Sequence, residues 1–386
     1  MAELGVGIVG CGVISGIYLE NMPSFADIRA VACTDIIPER SAEKAALHGI
    51  ADVTPEEMLK RDDVDIILNI TPPLVHYEVS LAALGAGKHV FGEKPLCVEV
   101  EHGRRLVAEA AARNLKIGCA PDTFLGAGGR LAREMIDAGV IGKVVAGSCN
   151  LMSHGMEHWH PDPTAFYLHG GGPLLDVGPY YMNALINLLG PVESVQGLTS
   201  SASPTRHVTA EGPLRGQHIP VETPTTVMGL LHFAGGADVN IFMSWDVWKH
   251  GHPPIELYGT EGTLRVPDPN YFGGVVQYTR RDGDWITVDA SPRAFGRPNW
   301  RSPFWTDDRP SQANYRCLGI AELASAVSNR TPHRASGDLG LHALETMRAV
   351  LRAGGEGGTV RLQSTLDRPP PLPEEEVARL WRGGWR

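Results

Sequence analysis

The sequence predicts an α/β chain, with a doubly wound parallel sheet in its N-terminal third and a second α/β domain of mostly antiparallel strands. Three observations carry this. From residue 5 to about residue 119, apolar strand patterns alternate with helical ones, an order that right-handed crossovers wind into a parallel sheet. From residue 143, short β-rich runs follow one another across turn pairs such as Gly235-Gly236, Glu261-Gly262 and Asp282-Gly283, which suits antiparallel pairing. The 386 residues, 43% of them hydrophobic, suffice for two packed cores. We expect domains at 1–122 and 123–366, with a Pro-rich tail at 367–386.

Gly5 to Val9 reads as a short apolar strand, followed by Gly10-Cys11-Gly12-Val13-Ile14-Ser15-Gly16 and a helix from Ile17. This is the strand, glycine turn and helix that a dinucleotide fingerprint requires. Gly10 would make the tight turn, and Gly12 would let the backbone, with Val13 and Ile14, approach a pyrophosphate. Ser15 stands where the third glycine is usual. The next strand, Arg29 to Thr34, ends on Asp35, at the spacing of about 20 residues that suits a carboxylate bonding an adenosine ribose. A 2′-phosphate would meet like charge there, so NAD is expected, with Arg40 keeping NADP possible. A helix N-cap role is the alternative for Asp35.

Val64 to Ile70 is a near-continuous apolar run, typical of a parallel strand covered on both faces. Thr71-Pro72-Pro73 ends it and a helix from His76 to Leu84 returns the chain. Thr71, Pro72 and His76 therefore fall where the nicotinamide end of a dinucleotide would lie; a helix-start surface position is the other reading of His76. The strand Lys88 to Phe91 then stops on Gly92-Glu93-Lys94-Pro95. Pro95 cannot continue a ladder, so Lys94, with Glu93 beside it, arrives at the carboxyl end of a sheet, where open α/β folds bind ligands; a solvated lysine at a strand end is the alternative.

In the second half, Gly170-Gly171-Gly172 feeds a helix expected to start near Asp176, with Pro179 in its first turn. Asp176, Tyr180 and Asn183 would then share a face. N-capping is the alternative for Asp176 and core packing for Tyr180. The run His154-Gly155-Met156-Glu157-His158-Trp159-His160, with Tyr167 and His169 following, is rich in metal-ligand types. Gly155 and Pro161 oppose a helical ligand pair, so no metal is expected. Instead His158, Trp159, His160 and Tyr167 are expected to contact substrate, with an inert surface loop as the alternative. Residues 199–222 and 290–312 read as long loops.

Bulk properties exclude other classes. A net charge of −10 argues against nucleic acid and anionic membranes as partners. No apolar run approaches the roughly 20 residues that span a bilayer. The N-terminal residues lack a basic stretch, and six cysteines lie scattered without a CxxC pair, so a reduced, cytoplasmic protein is expected.

Thr71-Pro72 with His76, Gly87-Lys88-His89-Val90 and Glu93-Lys94-Pro95 together resemble the Gfo/Idh/MocA oxidoreductases. The resemblance implies a Rossmann domain, a C-terminal α/β domain on a large and mostly antiparallel sheet, and a dimer or tetramer. It implies NAD or NADP chemistry at a secondary alcohol of a sugar or cyclitol, with Lys94 at the substrate and a Lys–Pro bond that is often cis. Where many members carry a histidine as proton shuttle, this chain has Tyr180, as in the tyrosine-type branches; a neighbouring ammonium makes a phenol a stronger acid. Asp176 would orient substrate or lysine, and Asn183 would face the substrate. Where relatives often carry Asn-x-Arg, this chain reads Pro121-Asp122-Thr123-Phe124, which removes an expected cation. Two other activities suit the same fold: a glycosidase that oxidises, eliminates and re-reduces on a retained cofactor, and a non-catalytic sensor.

Overall fold

A computed structural model describes residues 3–281, 283–299 and 312–382. The chain forms two compact units. The first comprises Met1–Leu125, Tyr315–Leu344 and Leu372–Arg386, and the second Gly126–Asn314 and Glu345–Pro371.

In the first unit, six parallel strands are β1 (Leu4–Val9), β2 (Ile28–Thr34), β3 (Ala51–Asp52), β4 (Ile66–Asn69), β5 (His89–Gly92) and β6 (Ile117–Cys119). Their order is β3-β2-β1-β4-β5-β6. Ile66 to Asn69 are all buried, which explains the unbroken apolar run in sequence: helices cover both faces of a parallel sheet.

Contacts divide the chain differently from the linear boundaries at 122 and 366. The helix Leu318–Asn329 and the loop after it belong to the first unit. Gly319 N donates to the Asp122 carboxylate at 2.8 Å, and Cys119 N to Ala335 O at 3.0 Å. The end of the Pro-rich tail folds back as well. Ala26 N donates to Leu380 O at 2.8 Å, and the Trp381 ring meets Phe25 and Tyr315 edge-on. Burial of Val377, Leu380 and this aromatic cluster outweighs the tail's charged character.

The second unit is built on nine strands, β7 (Val144–Met152), β8 (Val192–Ser200), β11 (Thr226–Phe233), β12 (Asp238–Ser244), β13 (Ile255–Gly259), β14 (Gly262–Val266), β15 (Val275–Arg280), β16 (Ile286–Asp289) and β17 (Val360–Arg361), beside a separate hairpin of β9 (Thr205–His207) and β10 (His218–Pro220). The order is β16-β15-β14-β13-β7-β12-β11-β8-β17, antiparallel except for the parallel pair β7 and β12. Alternation sets the faces: Val227, Leu231, Val239 and Ile241 point inward, while Met228, Leu230 and Leu198 are exposed. Gly197 and Gly229 pair across β8 and β11, and a Cβ on Gly197 would lie 2.3 Å from Val350 O. The missing side chain lets the later part of the helix Gly337–Glu356 lie on the sheet.

Two loop expectations change. Residues 199–222 contain the β9–β10 hairpin, which pairs His207 with His218. Of 290–312, residues 300–311 lie outside the described residues. Among the described residues no helix is long and apolar enough to cross a membrane.

Candidate active site

The strand order reverses between β1 and β4, and their carboxyl ends adjoin. Gly10, just past β1, has φ +101°, and a Cβ there would lie 2.8 Å from Ile70 O, so only glycine allows this approach. A Cβ on Gly12 would meet nothing within 4 Å, leaving an open cradle. Ser15 is buried and its hydroxyl donates to Gly12 O at 2.7 Å, closing the turn in place of the third glycine. Val13 is 80% exposed above the cradle and Ile14 half-buried. The Asp35 carboxylate accepts from Cys11 N at 2.6 Å and Ile37 N at 2.8 Å, which ties it to the glycine turn. Ile36, beside it, is 93% exposed and offers an apolar face the motif did not single out. An open glycine turn with an acid at the end of β2 fits NAD, the turn for its pyrophosphate and Asp35 for a ribose hydroxyl.

The lysine turn follows β5. Lys94 is half-buried and the Lys94–Pro95 bond is cis. Glu93 is buried. Its carboxylate accepts from the Tyr18 hydroxyl at 2.7 Å and from Lys94 N at 3.0 Å, and Arg316 Nε lies 3.9 Å away. Glu93 is therefore an anchor for the turn. Arg316, from the segment before the helix Leu318–Asn329, brings a guanidinium near both Glu93 and Asp122. No local signal marked it. Burial pushes the Asp122 carboxyl up to about 6, although Gly319 N and Arg316 favour its charged form.

Thr71 is half-buried, its hydroxyl donating to Asn69 Oδ1 at 2.6 Å, and Pro72 is exposed. His76 is only 1% exposed, and both ring nitrogens face backbone carbonyls: Nδ1 lies 2.7 Å from Pro95 O and Nε2 2.8 Å from Thr71 O. With both nitrogens engaged, the imidazole has no edge left for a cofactor. The expectation of direct cofactor contact is corrected accordingly.

In the second unit, Gly172 at φ +93° begins the short helix Pro173–Asp176. The chain breaks at Val177 and resumes as the helix Gly178–Leu189. Asp176 thus ends one helix while Tyr180 and Asn183 lie in the next, so the expected single face is interrupted. Gly178-Pro179 explains the break, since proline favours a first turn and lacks the N–H an ongoing helix uses. Tyr180 and Asn183 are both buried.

The loop after β7 divides its candidates. Tyr167 is fully buried; its hydroxyl donates to Glu157 Oε2 and accepts from Met156 N at 3.1 Å, so it is a strut and not a substrate contact. Burial, then Glu157, pushes the phenol's pKa up, keeping it a donor. Arg206, from β9, completes the strut with Nη1 3.4 Å from Glu157 Oε1 and Nη2 paired to Asp246. Asp246 also accepts from the Thr225 and Thr226 hydroxyls, each at 2.7 Å. His158 and Trp159 stay exposed and His160 half-buried. His158 Nδ1 lies 2.7 Å from Thr209 Oγ1, and the His154 ring stacks on both His158 and Trp248. Among the described residues, no three His, Cys, Asp or Glu side chains are grouped to hold a metal.

The chain matches two family descriptions: an oxidoreductase family with an NAD-binding Rossmann fold at residues 4–120, and the GFO/IDH/MocA C-terminal domain at residues 130–265. It is 26% identical over 309 residues to levoglucosan dehydrogenase of Pseudarthrobacter phenanthrenivorans, covering 73% of this chain and 75% of that one. It is 25% identical over 372 residues to 1,5-anhydro-D-fructose reductase of Ensifer adhaerens, covering 93% and 99%. Inositol 2-dehydrogenase 3 of Saccharopolyspora erythraea is 28% identical over 271 residues, 68% of this chain and 73% of that one. Among solved structures, levoglucosan dehydrogenase in complex with NADH superposes with a TM-score of 0.78 at 21% identity, covering 94% of this chain and 100% of that one. Fold, cradle and both matched domains agree: the chain belongs to the Gfo/Idh/MocA family of NAD-binding oxidoreductases.

Proposed function

We propose that this enzyme oxidises or reduces a secondary alcohol on a sugar or cyclitol. The observation that carries the reading is the place of Lys94: it leaves the carboxyl end of β5, whose neighbour β4 ends against the glycine turn. Bound NAD supplies the hydride acceptor or donor. Lys94 polarises the reacting oxygen, Tyr180 exchanges the hydroxyl proton, and Asp176 orients the two partners of that exchange. Trp159 stacks on an apolar sugar face, and His158, His160 and Asn183 bond hydroxyls. The relatives, which are named for levoglucosan, anhydrofructose and inositol, support a polyol substrate.

We further infer a cytoplasmic homodimer or homotetramer. Six buried free thiols suit a reducing compartment, and the exposed Leu198, Met228 and Leu230 suit a second copy. Light scattering reads the assembly.

Following NADH absorbance across a polyol panel tests the activity. Lys94→Ala and Tyr180→Phe are expected to lower turnover by roughly 10²–10⁴-fold, the worth of a positioned proton-transfer group. Full rate in both variants removes the assigned roles. Glycoside cleavage without net NADH would identify the retained-cofactor reaction instead.

A further inference from the structure

His76 occupies a position that an uncharged imidazole cannot satisfy. Nδ1 and Nε2 each lie within hydrogen-bond distance of a backbone carbonyl, and a carbonyl only accepts. A neutral ring carries one N–H, so one of the two contacts sets a lone pair against a lone pair. Flipping the ring would replace both nitrogens by carbons and lose both bonds. Only the imidazolium donates to Thr71 O and Pro95 O together.

The two carbonyls belong to the segments that matter most in the first unit. Thr71 follows Ile70, whose carbonyl abuts Gly10 of the dinucleotide turn. Pro95 follows Lys94. The rest of the neighbourhood is already braced: Asn69 Nδ2 donates to His76 O and Ser80 Oγ, both at 3.0 Å, and Glu93 N donates to Asn69 O at 2.8 Å. The imidazole is thus a tie between the cofactor loop after β4 and the lysine turn after β5.

We propose that His76 is a positioning residue that joins the dinucleotide loop to the Lys94 turn through two carbonyls, and that the tie is complete only when the ring is protonated. Burial pulls the imidazole's pKa below the ordinary histidine range, while the two carbonyls oppose it. The charged groups facing the ring are Glu93, which favours the proton, and Lys94, which disfavours it. Affinity for NAD is therefore expected to rise as pH falls through the His76 midpoint, on the acid side of neutrality. The gain is roughly ten- to a hundredfold, the scale of one added charged hydrogen bond.

The test pairs titration calorimetry of NAD across pH with ¹⁵N spectra of the histidine ring nitrogens in the intact protein. Both His76 nitrogens should move together to the protonated signature at the midpoint of the affinity change. His76→Gln, whose amide donates without titrating, should flatten that change while keeping affinity, and His76→Phe should lose affinity at every pH. Because Asp122 titrates near the same window, the profile is repeated with Asp122→Asn, which should leave the His76 midpoint in place. The proposal is overturned if the His76 nitrogens keep a neutral-tautomer spectrum through the affinity change, or if His76→Gln retains the same pH profile. The spectrum of the unsubstituted protein decides even if His76→Phe fails to fold, and none of these readouts depends on the polyol activity.

Discussion

Each unit holds a buried glutamate that accepts a phenol hydroxyl, lies beside an arginine, and immediately precedes a candidate site residue. In the first unit the set is Tyr18, Glu93, Arg316 and Asp122, ahead of Lys94. In the second it is Tyr167, Glu157, Arg206 and Asp246, ahead of His158. The two sets share their side-chain types but differ in how their aspartates are treated. Burial is the largest influence on both and disfavours charge in both. Asp122 takes Gly319 N and a nearby guanidinium, and still ends near 6. Asp246 takes two threonine hydroxyls and a paired arginine, and falls below the ordinary range. The donors aimed at a carboxylate, set against its burial, decide whether it stays charged. One support is therefore open to pH and the other is held ionised.

The comparison breaks most sharply at Arg206. Arg206→Ala leaves Glu157 and Asp246 without their shared cation, and the second unit should lose about 3–5 kcal/mol, as for removal of one partner from a buried pair. Urea unfolding followed by the fluorescence of buried Trp245 measures it. Next come the phenols. Tyr18→Phe and Tyr167→Phe should each cost about 1.5–3 kcal/mol, the worth of a hydrogen bond to a charged group. Only Tyr18→Phe should also slow turnover, because Glu93 holds the Lys94 N–H; equal loss of rate in both would erase the distinction.

The aspartates should then show opposite signs. The folded pKa of Asp122 lies above its unfolded value near 3.9, so the fold holds that proton more tightly, and stability falls as pH rises from about 4 to about 6. The size is on the order of 3 kcal/mol, from a shift of about two pKa units at about 1.4 kcal/mol per unit. Asp246 behaves in reverse, contributing stability above about pH 3.9 that is lost as pH falls through its depressed folded value. Asp122→Asn should flatten the upper window and Asp246→Asn the lower, read by denaturation at stepped pH. The smallest effect on the fold belongs to Gly12→Ala. Its new methyl meets no neighbour, so stability should stay within about 0.5 kcal/mol while NAD affinity drops roughly tenfold.

The periodic and covalent features of this protein are legible in its residues alone. Apolar runs and their alternation placed the strands, Gly10 and Gly12 marked the turn, and Asp35 and Lys94 were read at strand ends where the fold presents them. Those features are local: a residue's period, its missing Cβ or its place at a strand terminus travels with the chain. Tertiary structure alone decided what each side chain meets. Glu93 and Tyr167 look like site residues in sequence and turn inward as struts. His76 finds two carbonyls from segments on either side of it, and Arg316 and Arg206 reach their acids from distant positions. Residues 315–344 join the first unit for the same reason, since a strand edge and a buried carboxylate draw that segment back. Hydrogen-bond partners are chosen by distance in space, and separation along the chain leaves no periodic trace of them.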